Sequence, residues 1–193
     1  MMKKITAVLS VIFMCILLVA CGTTGAAVNN TNTHAIPDTL NSKKVLIAYF
    51  SRTGTTENIA ELIRQKTSGD IFKIETVNAY PSSYKETTEV AKKEKDNNIH
   101  PDIKMPVPDI RNYDVIFIGY PIWWHDAPMA IYTFMEKYDF SGKIIIPFCT
   151  SGGSDIEESM LGIISAAGSG KVFPGFTANR PADVEKWLET LGF

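Results

Sequence analysis

The residues with the clearest capacity for chemistry form a short polar loop that follows an apolar run. Four of its six side chains are hydroxyls, and its glycine lets backbone N–H groups turn inward. An amphipathic stretch comes next, and the N-terminus of a helix there is electropositive, so the loop predicts a site for a phosphate dianion. The arginine of the loop could contact that phosphate or point into solvent. The loop consists of Ser51, Arg52, Thr53, Gly54, Thr55 and Thr56.

Two familiar classes of phosphate loop do not fit these residues. Walker A needs a Gly-Lys pair with a glycine five residues earlier, whereas Gly170-Lys171 has Ser165 upstream and is followed by Val172. The dinucleotide fingerprint needs three spaced glycines after the first strand, and only Gly54 is present. A mononucleotide is therefore the better candidate, and a Ser/Thr-rich helix cap without a ligand is the alternative.

A second loop follows the third apolar run and contains two adjacent tryptophans. Paired tryptophans in a surface loop have no core to fill and need a flat partner, such as an isoalloxazine ring. Stacking of aromatic rings contributes about 0.5 to 1.5 kcal/mol beyond the burial of area. The alternative is that the tryptophans pack under the loop or in a subunit contact. The residues of interest are Pro121, Ile122, Trp123, Trp124 and His125.

A third loop follows the fourth apolar run and is made of small and hydroxyl-bearing residues. Such residues let the backbone approach the edge of a ligand, and Ser154 is expected to cap the next helix. The loop consists of Thr150, Ser151, Gly152, Gly153 and Ser154.

The elements that position these loops alternate between strand-like and helical patterns from residue 44 onward, as in βαβ units with a parallel sheet. Because Pro147 lacks an N–H donor, we expect it near a strand end or at a bulge. In a doubly wound sheet, ligands bind outside the carboxyl ends of the strands, so the three loops should meet. The predicted strands are 45–50, 71–76, 115–120, 143–150 and a short fifth at 172–176. The predicted helices are 55–66, 84–95, 128–137, 154–167 and 182–191, with a Pro-rich crossover at 101–108.

Taken together, the three loops resemble those of flavodoxin-like FMN proteins, in particular a branch with Ser-Arg-Thr-Gly, Pro-Ile-Trp-Trp and Thr-Ser-Gly-Gly-Ser loops. The likeness covers residues 44–193. It implies an α/β, flavodoxin-like, doubly wound, five-stranded parallel sheet of order 2-1-3-4-5 with helices on both faces. It also implies non-covalently bound FMN and electron transfer through the flavin. By this resemblance residues 51–56 would hold the phosphate, 121–124 would flank the isoalloxazine, and 151–154 would close its other side. Tyr80-Pro81 and Tyr84 also resemble a family feature, which would border the flavin pocket but has no assigned contact.

One position departs from the family pattern. Relatives usually have glycine where His125 stands, and a backbone carbonyl near that point commonly accepts a hydrogen bond from flavin N5. A side chain there could restrict peptide flipping. His125 could also donate a proton to a reduced acceptor, because it titrates near neutral pH, or it could simply face solvent.

The first twenty residues differ in composition from the rest of the chain. Lys3 and Lys4 precede an uncharged apolar stretch that is shorter than the roughly 20 residues needed to span a bilayer, which is typical of a signal peptide. The sequence Leu18-Val19-Ala20-Cys21 resembles a bacterial lipobox and predicts an acylated Cys21 at the mature N-terminus. An ordinary secretory signal or an uncleaved anchor is the alternative. We expect a signal at 1–20, a flexible tether at 21–43, and a domain at 44–193 that is lipid-anchored outside the cytoplasm of a bacterium.

Composition narrows the classes of function. The 193 residues, 45% hydrophobic and 21% charged, suffice for a single core. Once the signal has left with Lys3 and Lys4, the domain retains only Cys149 besides Cys21, so no internal disulfide is expected. Removing two of 19 basic residues against 21 acidic ones leaves a net charge of −4, which argues against nucleic-acid binding. We expect no metal site.

Three functions remain open at this point. The first is an electron carrier that docks to a redox partner protein or reduces a quinone near the membrane. The second is an NAD(P)H-dependent flavin or quinone oxidoreductase of the same fold. The third is a binding module without flavin, because a fold does not fix a function.

Overall fold

Six parallel strand segments form one sheet in this computed structural model, which describes residues 40–104 and 109–193. The strand order is β2-β1-β3-β4-β5, and β6 pairs with β4 beyond the end of β5. This arrangement confirms the predicted flavodoxin-like α/β sheet of order 2-1-3-4-5. The strands are β1 Val45–Tyr49, β2 Asp70–Lys73, β3 Val115–Pro121, β4 Ile144–Thr150, β5 Lys171–Val172 and β6 Phe176–Thr177.

Helices cover both faces of the sheet, which is why β1 and nearly all of β3 are buried apolar runs. Alternate strand residues divide between two cores. The helices are α1 Thr55–Thr67, α2 Tyr84–Asp96, α3 Met129–Met135, α4 Glu157–Ala166 and α5 Pro181–Thr190. Leu46 and Ile116 pack with α3 and α4 on one face, whereas Ile47 and Phe117 pack with α1 and α5 on the other.

Several predictions lie outside the described residues. They are the signal peptide at 1–20, the acylated Cys21, the tether up to residue 39 and the crossover residues 105–108. Within 40–104 and 109–193, none of the helices is both long and apolar enough to cross a membrane.

The predicted fifth strand at 172–176 is divided in the structure. β5 ends at Val172 and β6 begins at Phe176, and both pair with β4. The interruption contains Pro174, which has no N–H to donate to a ladder. It also contains Gly175, where an added Cβ would lie 2.5 Å from Cδ1 of Ile156, so the backbone packs against that side chain. The prediction of one continuous strand was therefore wrong.

Pro147 lies in the middle of β4 and pairs in regular register with Ile118, so the expected strand end or bulge was wrong. The carbonyls of Ile145 and Cys149 accept hydrogen bonds from the N–H groups of Phe173 and Ala178. The backbone N–H and C=O groups of the odd-numbered residues of β4 therefore point towards β5 and β6. Pro147 therefore faces the gap between those two segments. Its missing N–H breaks no ladder bond there.

The second strand is shorter than predicted and ends at Lys73 rather than residue 76. The chain beyond it turns towards the crossover, where Thr76 forms an isolated antiparallel bridge with Ile103. The antiparallel contact draws these residues away from the parallel ladder with β1.

Candidate cofactor site at the carboxyl edge of the sheet

A cleft of about 770 Å³ lies at the carboxyl ends of β1, β3 and β4, within the range of small-molecule sites. The three loops predicted to converge do converge there. Gly54 and Gly153 belong to these loops but do not line the cleft. The predicted residues that line it are Ser51, Arg52, Thr53, Thr55, Thr56, Pro121, Ile122, Trp123, Trp124, His125, Thr150, Ser151, Gly152 and Ser154.

The first loop turns directly into α1. Gly54 precedes the helix with a φ of +91°, and its N–H donates to Oγ of Ser51 at 3.1 Å. A Cβ at Gly54 would meet nothing within 4 Å, so the backbone angle rather than space favours glycine. The first N–H groups of α1 have no carbonyl one turn earlier to bond. Thr53 and Thr55 line the cleft at this end of the helix, with their hydroxyls 3.4 Å apart. A loop and helix N-terminus with this geometry are typical of an anion-binding site.

Arg52 bonds backbone carbonyls of a neighbouring turn. Its Nε and Nη2 donate to the carbonyl of Pro81 at 3.3 and 2.9 Å, and Nη2 also donates to the carbonyl of Ser82. The guanidinium therefore ties the first loop to the turn that precedes α2. Its positive charge stays beside the cleft, which it lines.

The two tryptophans have different environments. Trp123 is partly buried, and its ring meets Phe50 and Tyr80 edge-on, with centroids 5.3 and 5.0 Å apart. The expectation that neither tryptophan has a core to fill was wrong for Trp123, because these rings lie beneath the loop. Trp124 is 45% exposed, and its Nε1 donates to the carbonyl of Thr88 on α2 at 2.9 Å.

The backbone around the tryptophans forms a tight turn. Trp123 and Asp126 exchange two backbone hydrogen bonds, of 2.8 and 3.1 Å, around the two residues between them. Trp124 and His125 have φ values of +52° and +62°, which makes this a type I′ turn. His125 thus keeps a backbone conformation that favours glycine, at the position where the family resemblance leads one to expect glycine.

His125 also makes a contact across the mouth of the cleft. Its imidazole is largely exposed, and Nδ1 lies 2.9 Å from Oε2 of Glu158 on α4. The hydroxyl of Ser154 and then His125 lower the pKa of the Glu158 carboxyl below its usual range. The pair connects the second loop to the first turn of α4.

The third loop is organised by Ser151. Its Oγ accepts from the N–H groups of Gly153 and Ser154 at 3.1 and 2.7 Å, and its own N–H donates to Oδ1 of Asn179 at 2.9 Å. These bonds form a turn, so α4 begins only at Glu157 and has no side-chain cap. The prediction that Ser154 caps the helix was therefore wrong.

Sequence reasoning left out part of the cleft. One wall of the cleft is a face of α2. The sequence of α2 is that of a polar surface helix, so it does not indicate a binding site. Asn179 follows β6, and its place after the fifth strand position could have indicated it. Tyr80 lies beneath the cleft, where its hydroxyl donates to Glu94 at 2.6 Å. Tyr84, which the family resemblance places at the border of the flavin pocket, lines the cleft, and the lining residues that were missed are Thr87, Thr88, Ala91 and Asn179.

The described part of the chain contains no cluster of three or more His, Cys, Asp or Glu placed to hold a metal ion. A doubly wound sheet with a hydroxyl-rich loop and a tryptophan loop at its carboxyl edge defines the flavodoxin-like class. The sequence model of the flavodoxin family matches residues 44–191, so the chain belongs to the flavodoxin family.

Individual relatives agree with this assignment. A solved structure described as a flavoprotein, from Bacteroides eggerthii, is 35% identical and covers 78% of this chain and 99% of its own, with a TM-score of 0.69. A flavoprotein from Lactobacillus acidophilus, solved in complex with FMN, is 25% identical with a TM-score of 0.65, and covers 76% of this chain and 99% of its own. The flavodoxin of Nostoc sp. PCC 7120 is 25% identical over 134 residues, which are 64% of this chain. The chain spans 62% of that flavodoxin's length.

Proposed function

We propose that residues 44–193 bind FMN non-covalently in the cleft and pass electrons through it. The observation that supports the proposal is that two loops line one cleft. One is the hydroxyl-rich loop of residues 51–56, called here the phosphate-type loop, and the other is the tryptophan loop of residues 121–125. FMN has a phosphate at one end and a flat aromatic ring at the other, so these two loops match its two ends. The related Lactobacillus acidophilus flavoprotein forms a complex with FMN.

The phosphate end is held by groups without a formal charge. Hydroxyls of Ser51, Thr53 and Thr55 line the cleft beside the N-terminus of α1, where N–H groups and the helix dipole favour an anion. Gly54 shapes the loop, and Thr56 closes it from below. Arg52 contributes to the local potential while its donors serve the carbonyls of Pro81 and Ser82.

The ring end is enclosed by the other two loops. Trp124 and Ile122 contribute apolar surface to the cleft, and Thr150 and Gly152 contribute small groups. Burial between them excludes water and shifts the reduction potential of the bound flavin. FMN supplies the one- and two-electron chemistry, and the protein supplies orientation and environment.

An NAD(P)H-dependent oxidoreductase of the same fold is the second candidate, and one observation favours it. His125 lines the cleft with its Nδ1 2.9 Å from Oε2 of Glu158, and an imidazole oriented by a carboxylate is a common arrangement for proton transfer in enzymes. Anaerobic addition of NADH or NADPH to the FMN-loaded protein separates the two candidates. Rapid bleaching without a partner protein would establish the enzyme, and a stable yellow colour that only dithionite removes would establish the carrier.

We also propose that the domain is held at the outer face of a bacterial membrane by acyl chains on Cys21. The lipobox-like Leu18-Val19-Ala20-Cys21 supports this, and residues 21–43 would be the tether. Such a location favours a quinone or an anchored redox protein as the electron partner. Mass spectrometry of the native chain tests the anchor: an acylated Cys21 at the N-terminus supports it, and an unmodified Cys21 contradicts it.

A further inference from the structure

The turn between Trp123 and Asp126 has a conformation that its own residues do not favour. Trp124 and His125 both adopt left-handed backbone angles; histidine tolerates them better than most residues, whereas a bulky tryptophan adopts them only at a cost. A strained backbone of this kind persists only where the surrounding structure holds it. The question is which contacts do so.

Helix α2 supplies the main contact. Nζ of Lys95 donates to the backbone carbonyl of Trp124 and lies 3.6 Å from Oδ2 of Asp126. The side chains of Lys95 and Asp126 are only 35% and 25% exposed, so solvent screens this contact less than an open surface pair. The carbonyl in question belongs to the peptide between the two strained residues.

Other contacts reach the turn through side chains. Nε1 of Trp124 donates to Thr88, and His125 meets Glu158 at the exposed rim. Lys92 places its Nζ 5.5 Å from the centre of the Trp124 ring but forms its ion pair with Asp96. Among the described contacts, the backbone carbonyl of Trp124 is held by Lys95.

We propose that Lys95 is a positioning residue for the cofactor site, an inference that rests on the proposed FMN function. In a trans peptide the C=O and N–H groups point in opposite directions. A carbonyl fixed on Lys95 therefore also fixes the N–H of His125, and the bond from Nε1 of Trp124 to the carbonyl of Thr88 holds the indole against the same helix. Lys95 thus preorganises the wall against which the flavin ring is bound, and it touches neither ring nor phosphate itself.

The test compares FMN affinities of full-length variants, measured by quenching of flavin fluorescence. Lys95→Met loses a charged hydrogen bond, and we expect FMN binding to weaken about tenfold. Lys95→Arg retains a donor and should stay within about threefold of the parent chain. Lys93→Met is the matched control, since Lys93 is exposed on the same helix and its removal has the same effect on net charge.

A variant that relieves the backbone strain provides the decisive comparison. Glycine adopts positive φ without a steric cost, so Lys95→Met should weaken FMN binding much less in a His125→Gly background than in the parent chain, the double variant being compared with His125→Gly alone. The proposal is overturned if Lys95→Met binds FMN as tightly as the parent chain. It is also overturned if Lys93→Met weakens binding equally, or if Lys95→Met has the same effect in both backgrounds.

A second readout needs no flavin. The N–H of Asp126 closes the turn on the carbonyl of Trp123, so its hydrogen exchange in the apoprotein reports the turn itself. Lys95→Met should speed that exchange at least about tenfold and leave the N–H groups of β3 unchanged. Unchanged exchange at Asp126 would overturn the positioning role. A parent chain that binds no FMN would contradict the proposed function, and the exchange measurement would still decide the role of Lys95.

Discussion

The hydroxyl groups of Thr56 and Thr150 share a hydrogen bond of 2.8 Å between the first turn of α1 and the end of β4. The two residues are 94 positions apart in the chain, and they are only 1% and 5% exposed. The bond joins the phosphate-type loop to the third loop beneath the cleft. It therefore sets the separation of two walls of the site.

Replacing one of these threonines by valine should destabilise the domain. Valine has the same shape, but the remaining buried hydroxyl loses its partner, so Thr56→Val or Thr150→Val should lower the free energy of unfolding by about 1 to 3 kcal/mol. The double variant removes both polar groups and should cost less than the sum of the single ones. Urea unfolding of the four proteins measures this coupling, and strictly additive losses would contradict it.

The two tryptophans should separate stability from binding. Trp123→Ala opens a cavity beside Phe50 and Tyr80 and should lower the free energy of unfolding by about 2 kcal/mol or more. Trp124→Ala removes a side chain that is 45% exposed and should change stability little while weakening FMN binding roughly tenfold. Thermal unfolding of the apoproteins and FMN titration measure the two effects. Equal profiles for the two variants would argue against this division.

Close packing between β3 and β4 depends on Gly119. A Cβ there would lie 2.1 Å from Cζ of Phe148, and that ring is fully buried and has no room to move. Gly119→Ala should therefore cost about 1 to 3 kcal/mol of stability. Gly152→Ala is the control, because its Cβ would meet nothing within 4 Å and stability should change by less than about 0.5 kcal/mol. A stable Gly119→Ala protein would show that this packing is looser than described.

Cys149 should be inert in the folded protein. Burial raises the pKa of its thiol to about 12, so at pH 8 roughly one molecule in ten thousand carries the reactive thiolate. Iodoacetamide should label Cys149 only after unfolding, as peptide mapping would show, with a sample in concentrated guanidinium as the positive control. Fast labelling of the native chain would contradict this burial.

The same pKa shift has a consequence for stability. The folded value lies above the ordinary 9.0, so the contribution of the protonated thiol is complete below pH 9 and is lost as the pH rises towards 12.

Much of the fold was predictable because the strongest signals are local. β1 and β3 are uninterrupted apolar runs, and their burial on both faces follows from the parallel sheet they belong to. The convergence of the three loops followed from topology once those strands were assigned. Features that depend on a neighbour in space were missed. Pro147 is acceptable in mid-strand only because β5 and β6 leave a gap opposite it, and the sequence around Pro147 does not show that the gap at Pro174 and Gly175 lies beside it.

The candidate site was also only partly predictable from local sequence patterns. Residue types predict a phosphate site at residues 51–56, yet Arg52 bonds carbonyls about thirty positions away that only the folded chain brings near. Trp123 finds its partners in Phe50 and Tyr80, from two other parts of the chain. The sequence did not predict that Thr88 and Ala91 of α2 line the cleft, because small and hydroxyl residues are common on any helix surface.

Direct titration of the apoprotein with FMN and with riboflavin tests the central claim. The two ligands share the ring and differ in the phosphate, so the comparison addresses both ends of the cleft. We expect one FMN per chain, with quenched flavin fluorescence, and riboflavin binding at least about tenfold weaker because the loop of residues 51–56 then holds nothing. A chain that quenches neither flavin, or that binds riboflavin as tightly as FMN, would contradict the account.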